Sequence, residues 1–345
     1  MTMGFIRNAY HRLLLVPGVP FLFQHARRNC ATIFMMHRFT HRERGIHGFE
    51  PAQLRKDLEY LRRNKYEFLS LSDLFKRLAG SGPALNGSVV FTIDDGYIDH
   101  AEVAAPIFAE FDCPVTTFVT TGFLDGQLWM WWNKIDYIFS NTRRQSLEFR
   151  LDENAIRFDL SHEKAIGAAQ EEFVQRCKSI GYEERHKAIS CLADNAGVDM
   201  PDSPPVIYAP MTWDDARACE IKGMSFGPHT VTHPILSQLQ TEQATWEISE
   251  SWRRLCEEVS DPVPVFCYPN GQWPDFGPRE IEIFRELGFS GAVVGEPGFA
   301  DTSSFNHDKD APFKVCRLSF PEAVSDLIQY VSGIERCKLM VRRQI

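Results

Sequence analysis

Short apolar runs alternate along this chain with amphipathic stretches at helical spacing. Thr32 to Met36 reads as a first strand, and Pro51 to Asn64 follows with Leu54, Leu58 and Leu61 on one helical face. Val89 to Ile93 is an apolar run that leads straight into Asp94-Asp95-Gly96. A buried parallel-type strand has this pattern, with its charges where the strand emerges. A helix through Ile107, Phe108 and Phe111 and a β-branched strand from Pro114 to Thr120 are expected next. Later strands are expected at Met224 to Pro228, Val263 to Tyr268, Ser290 to Val294 and Lys314 to Phe320. Helices are expected at about 213–222, 241–258, 279–287 and 321–332, with Gly288 suited to cap the third of these. Repeated strand–helix units predict a parallel α/β barrel.

Two carboxylates at an emerging strand end stand where ligands bind in such folds. One can hold a cation while the other handles a proton, although Asp-Asp-Gly is equally ordinary turn chemistry. A second segment, Phe226-Gly227-Pro228-His229-Thr230-Val231-Thr232-His233-Pro234, sets two histidines four residues apart. Pro234 disfavours helix at His233, which predicts a single turn or loop. Alone, a His pair is commonly structural. Joined to one aspartate, it forms a facial ligand set with positions open to water and substrate. A third segment, Val265 to Gly271, is again a strand running into a turn.

With these three segments in order, the chain resembles the polysaccharide deacetylase family, carbohydrate esterase family 4 (the NodB-homology group), from roughly Thr32 to Phe320. Thr92 to Gly96 matches its Thr-Phe-Asp-Asp-Gly motif with Ile93 in place of Phe. His229 to His233 matches His-Ser/Thr-x-x-His, and Tyr268-Pro269-Asn270-Gly271 matches its Pro-x-Gly turn. The resemblance implies a distorted (β/α)7-type barrel with a helical insertion. It implies metal-dependent hydrolytic N-deacetylation of an acetylated amino sugar, in a polysaccharide or a lipid-linked glycan precursor, with release of acetate. Asp94 would be the general base, and Asp95, His229 and His233 would hold one divalent metal, usually zinc, with cobalt, nickel or manganese as substitutes. The backbone of Tyr268, Pro269, Asn270 and Gly271 would line the pocket and help stabilise the oxyanion.

The chain departs from the family in two places. The family's third motif often carries an arginine that orients the base, and none stands near Phe266 or Cys267. Its last motif, Leu-x-His, supplies the general acid, yet no histidine follows His307. Arg317, in Val315 to Phe320, either replaces the missing arginine or is a plain surface residue. Met35-Met36-His37 looks like the Leu-x-His motif moved ahead of the Asp pair, as in relatives with a permuted motif order. First and last strands of a barrel are neighbours, so the shift costs little geometrically. His37 is therefore the candidate general acid, its plain alternative being a cap on a core strand.

Composition narrows the class. The chain has 345 residues, 44% hydrophobic, enough for a sizeable core. Net charge of −9 argues against a nucleic-acid partner. Nine singly scattered cysteines read as the reduced thiols of a cytoplasmic protein. Leu13 to Phe23 is apolar between arginines, too short and proline-broken to span a bilayer, and no cleavage site follows it. It either lies on the inner face of an anionic membrane or packs on the barrel. The expected organisation is an extension at 1–30, a deacetylase-like barrel at 31–335, and within it a helical cap at 133–202 with Trp129, Trp131 and Trp132 at its entrance. Those tryptophans, with Tyr268 and Trp273, either stack on sugar or anchor the core. Two other functions stay open: hydrolysis of a smaller amide or ureide, and a catalytically silent sugar-binding protein.

Overall fold

The computed structural model describes residues 20–151 and 154–342. Ten strands follow in chain order: β1 (Cys30–Met36), β2 (Ser88–Asp95), β3 (Val115–Val119), β4 (Ser146–Leu151), β5 (Asn154–Asp159), β6 (Met224–Pro228), β7 (Val265–Cys267), β8 (Gly291–Val293), β9 (Ala300–Asp301) and β10 (Leu318–Ser319). β2 is buried at every position, as its unbroken apolar run predicts for a strand covered on both faces. It is central to a sheet ordered β10-β1-β2-β3-β6, parallel throughout, with β9 antiparallel on β1. β7 and β8 form a separate parallel pair.

A few backbone bonds join this pair to the strands on either side of it. The Val263 N–H donates to Phe226 O at 2.8 Å, and Val294 N–H to Val315 O at 2.9 Å. The expected strand from Lys314 to Phe320 is thus mostly irregular, with ladder pairing only at Leu318–Ser319. The architecture is a parallel-rich α/β fold whose strands succeed one another as expected, although full ladders do not run all the way round.

Helices shield the sheet. α1 (Pro51–Arg63) buries Leu54, Leu58 and Leu61, the face read from their spacing. The main core gathers Phe34, Phe91, Phe108 and Phe226, with Phe34 and Phe320 edge to face at 5.0 Å. A π-helical turn, His100–Ala104, follows the Asp-Asp-Gly corner. Such turns concentrate at functional sites.

Between β3 and β6 the chain builds a second core. α2 (Trp131–Asn141), the β4–β5 hairpin, α3 (Glu163–Ser179) and α4 (Tyr182–Ala196) enclose Ile135, Phe139, Leu147, Phe149, Phe158, Phe173 and Leu192. This stretch is not wholly helical as expected. Leu147, Phe149, Ile156 and Phe158 are buried while Glu148 and Arg157 between them are exposed, the period-two alternation of a hairpin. No helix among the described residues is long and apolar enough to cross a membrane. The membrane-contact expectation rests largely on Leu13 to Val19, outside the described residues.

Candidate functional site

Asp94 and Asp95 end β2, paired with Phe118 and Val119 of β3. In a regular strand adjacent side chains leave opposite faces. At Asp95 φ is +90°, well off the β region, and both carboxylates line one cavity. Gly96 follows at φ +97°, where a Cβ would sit 2.6 Å from Leu124 Cδ1. Only glycine fits this corner.

The two histidines arrive from β6. Their segment is a loop, as Pro234 predicts, with Thr230 at φ +64° and His233 at φ +58°. Non-glycine residues held at positive φ store strain that surrounding contacts must offset. Glu247, on α5 (Thr241–Glu258), does so: its buried carboxylate accepts the N–H groups of Val231 at 2.8 Å and Thr232 at 2.9 Å, and the Thr232 hydroxyl. Thr230 Oγ1 accepts the His233 N–H at 3.0 Å.

The result is a converging donor set. Nε2 of His229 and Nε2 of His233 lie 3.1 Å apart, and stand 3.7 and 3.6 Å from Asp95 Oδ1. His229 Nδ1 is 2.7 Å from Cys267 O, and a carbonyl can only accept, so Nδ1 carries the proton and Nε2 presents its lone pair. Burial pushes His229 down to about 4 and His233 well below its ordinary value, so both imidazoles are neutral. Burial likewise raises Asp95 to about 6. Neutral nitrogens facing a buried carboxylate lack a charge between them, and two nitrogens plus one oxygen suit a divalent cation.

Arg317 is no surface residue. It is 2% exposed, and its guanidinium grips Asp94 with both arms, Nη1 to Oδ1 at 2.7 Å and Nη2 to Oδ2 at 2.8 Å. Its remaining reach is satisfied by Val294 O and Thr92 Oγ1, each at 3.1 Å. Burial alone would raise Asp94. The Arg317 charge and hydrogen bonds overcome it and hold that carboxyl well below the usual range. His37 stands one residue past β1, which pairs Met36 with Ile93; this brings its half-exposed imidazole to 3.9 Å from Asp94 Oδ2.

The Pro-x-Gly turn lines the cavity through Tyr268 and Asn270. The Tyr268 hydroxyl donates to Phe313 O at 3.1 Å, and its ring stacks on Phe276 at 3.9 Å. The N–H of Tyr268 goes to Val293 O, the N–H of Gly271 goes to Pro269 O, and Pro269 has none. The Asn270 side chain donates to Asp275 Oδ2 at 2.6 Å. Trp131 is buried in the second core, Trp129 is buried elsewhere in the structure, and Trp132 lies edge-on to His233 with ring centres 4.6 Å apart. Trp273 is exposed and is not among the residues lining this cavity.

All these groups surround a cavity of about 570 Å³, lined also by Arg38 and Tyr97. Sequence reasoning passed over Tyr97, Glu247 and Asp99. No motif marks them, since their partners lie far along the chain.

The profile of the polysaccharide deacetylase family matches residues 165–291, a stretch that holds His229, His233 and the 268–271 turn. Over that stretch the chain is similar to the family. It shares its fold with solved structures at low identity. The Streptococcus pyogenes deacetylase PplD, solved in complex with acetate, aligns at 18% identity and TM-score 0.54, covering 88% of this chain and 98% of that one. IcaB from Ammonifex degensii aligns at 16% identity and TM-score 0.54, covering 88% and 97%. A de-N-acetylase from Aggregatibacter actinomycetemcomitans aligns at 13% identity and TM-score 0.54, covering 87% and 99%. No curated protein matches the chain in sequence.

Proposed function

We propose that this protein is a metal-dependent N-deacetylase acting on acetamido sugars within a glycan, yielding acetate and a free amine. One observation carries the reading. Three metal-type donors, an arginine-clamped carboxylate and a half-exposed histidine face a single cavity from four separate strand ends.

Asp95, His229 and His233 would hold the cation, zinc by preference for two imidazoles and a carboxylate. When bound, such a cation supplies Lewis acidity toward the acetamide carbonyl and toward water. Asp94 is kept ionised and fixed in direction by Arg317, ready to take a proton from the attacking water. His37, across from it, returns a proton to the departing nitrogen, without which an amine leaves poorly. Tyr268 and Asn270 line the same cavity. Asp94 and His37 thus divide base and acid work between an ionised carboxylate and an imidazole.

A glycan, rather than a small amide, is favoured by a second cavity of about 760 Å³ that shares Met35, His37 and Arg38 with the first. Phe49 and Phe320 line it together with Gln53, Lys56 and Ser319, a mix that suits the apolar face and the hydroxyl rim of a sugar.

The test is acetate release from N-acetylglucosamine and its oligomers, after chelation and with zinc or cobalt restored, for wild type and Asp94→Asn. Metal-restored release that rises from one sugar to several and is lost in Asp94→Asn supports the reading. Zinc binding without release from any of them points to a smaller amide or a silent site.

A further inference from the structure

Among the described residues, none clamps the His37 side chain as Arg317 clamps Asp94. Its imidazole is half exposed and lies 3.9 Å from Asp94 Oδ2, beyond hydrogen-bond distance. Its aim must therefore come from the backbone of residues 37–39, and the corner that follows β2 holds that backbone. Asp99 is fully buried, and its carboxylate spends both oxygens here. Oδ1 takes Arg38 Nε at 3.0 Å and stands 3.0 Å from Arg38 Nη2, while Oδ2 takes the Phe39 N–H at 2.6 Å. His100, next along and equally buried, directs Nε2 to the His37 carbonyl at 2.5 Å. Arg38 in turn donates to Ile207 O at 2.7 Å and lies over the Tyr97 ring at 4.0 Å.

We propose that Asp99 is a positioning residue for His37, acting through Arg38 and the Phe39 N–H to hold the proton donor against the Asp94 side of the cavity. The role rests on the reading of His37 as that donor. A carboxylate without solvent costs several kcal/mol unless every lone pair finds a partner. Asp99 and Asp94 leave the same β2 corner, so one short segment sets the positions of base and acid together.

The experiment is a double-mutant cycle on the full-length, zinc-loaded protein. Asp99→Asn keeps shape and an acceptor for Phe39 while removing the charge from Arg38. Turnover of an acetylated glucosamine oligomer should fall about tenfold or more, as misalignment of a proton donor predicts, with KM and zinc content unchanged. Hydrolysis of 4-nitrophenyl acetate, whose leaving group needs no proton, should change far less. In a His37→Ala background, Asp99→Asn should cost nothing further. Losses that multiply, a change confined to KM, or equal losses on the ester overturn the role and leave Asp99 as a structural residue. Full turnover by His37→Ala would remove the donor reading itself and this role with it. Should Asp99→Asn fail to fold, Arg38→Met breaks the same pair from its other side and enters the same cycle.

Discussion

Arg317 and Asp94, separated by 223 positions, form a two-armed ion pair in which both partners are almost fully buried. The pair exists because β10 lies beside β1, and β1 beside β2, which sets the residue just before β10 next to the end of β2. A guanidinium suits this place: its planar fork meets both carboxylate oxygens and still reaches Val294 O and Thr92.

Removing Arg317 leaves a buried carboxylate alone. Arg317→Met should destabilise the protein by about 3–5 kcal/mol, the usual penalty for breaking a buried pair from one side. Acetate release should fall by about 10²-fold or more, because the carboxylate loses both ionisation and direction. Arg317→Lys keeps the charge without the fork and should land between the two. Urea unfolding and acetate release measure both effects; wild-type stability in Arg317→Met would show that the pair holds nothing.

Glu247 binds three donors from the loop that carries the histidines, and touches neither imidazole. Glu247→Gln sets an amide N–H₂ against N–H donors and should let that loop relax from its positive-φ geometry. Outer partners of this kind typically govern about 10–100-fold in metal affinity. Zinc affinity, read by competition with a chromophoric chelator, should weaken by that amount, and excess zinc should restore activity. Unaltered affinity would confine Glu247 to holding the fold.

The strand–helix order of the fold was legible from the alternation of apolar runs and amphipathic stretches, and the same patterns named the candidate site residues. Asp94 and Asp95 stood out because an apolar run stops at them, and the His pair because, joined to one aspartate, it makes a facial ligand set. His37 was named from the likeness of Met35-Met36-His37 to a displaced Leu-x-His motif, and the pairing of β1 with β2 sets it across from Asp94. Arg317 was legible as a candidate, but its burial was not, because nothing local shows that the irregular segment before β10 turns inward. Asp99 and Glu247 were beyond reach: each looks like one more surface acid until partners 60 and 16 residues away are folded against it. The β4–β5 hairpin was readable from its alternation and was masked by the charged residues that share it.

Asp57 offers a check on the fold that is independent of the site. It lies on the inner side of α1, 1% exposed; Oδ1 takes Gln53 Nε2 at 2.9 Å and Oδ2 has no partner among the described residues. Burial pushes its carboxyl up from 3.8 to about 6. The folded protein therefore binds this proton more tightly than the unfolded chain. The resulting stabilisation is complete below pH 3.8 and is lost as pH rises through about 6. At neutral pH a dehydrated charge remains, and the distance from 3.8 to about 6 corresponds to at most about 3 kcal/mol. Asp57→Asn cannot ionise and keeps the Gln53 contact. Its unfolding free energy should exceed that of wild type at pH 7.5, and the difference should shrink or vanish by pH 4.5. Since the two proteins differ at one titrating group, all other pH effects cancel in the comparison. Parallel stability curves across that range would mean that water reaches Oδ2 and that α1 packs less tightly than its three leucines require.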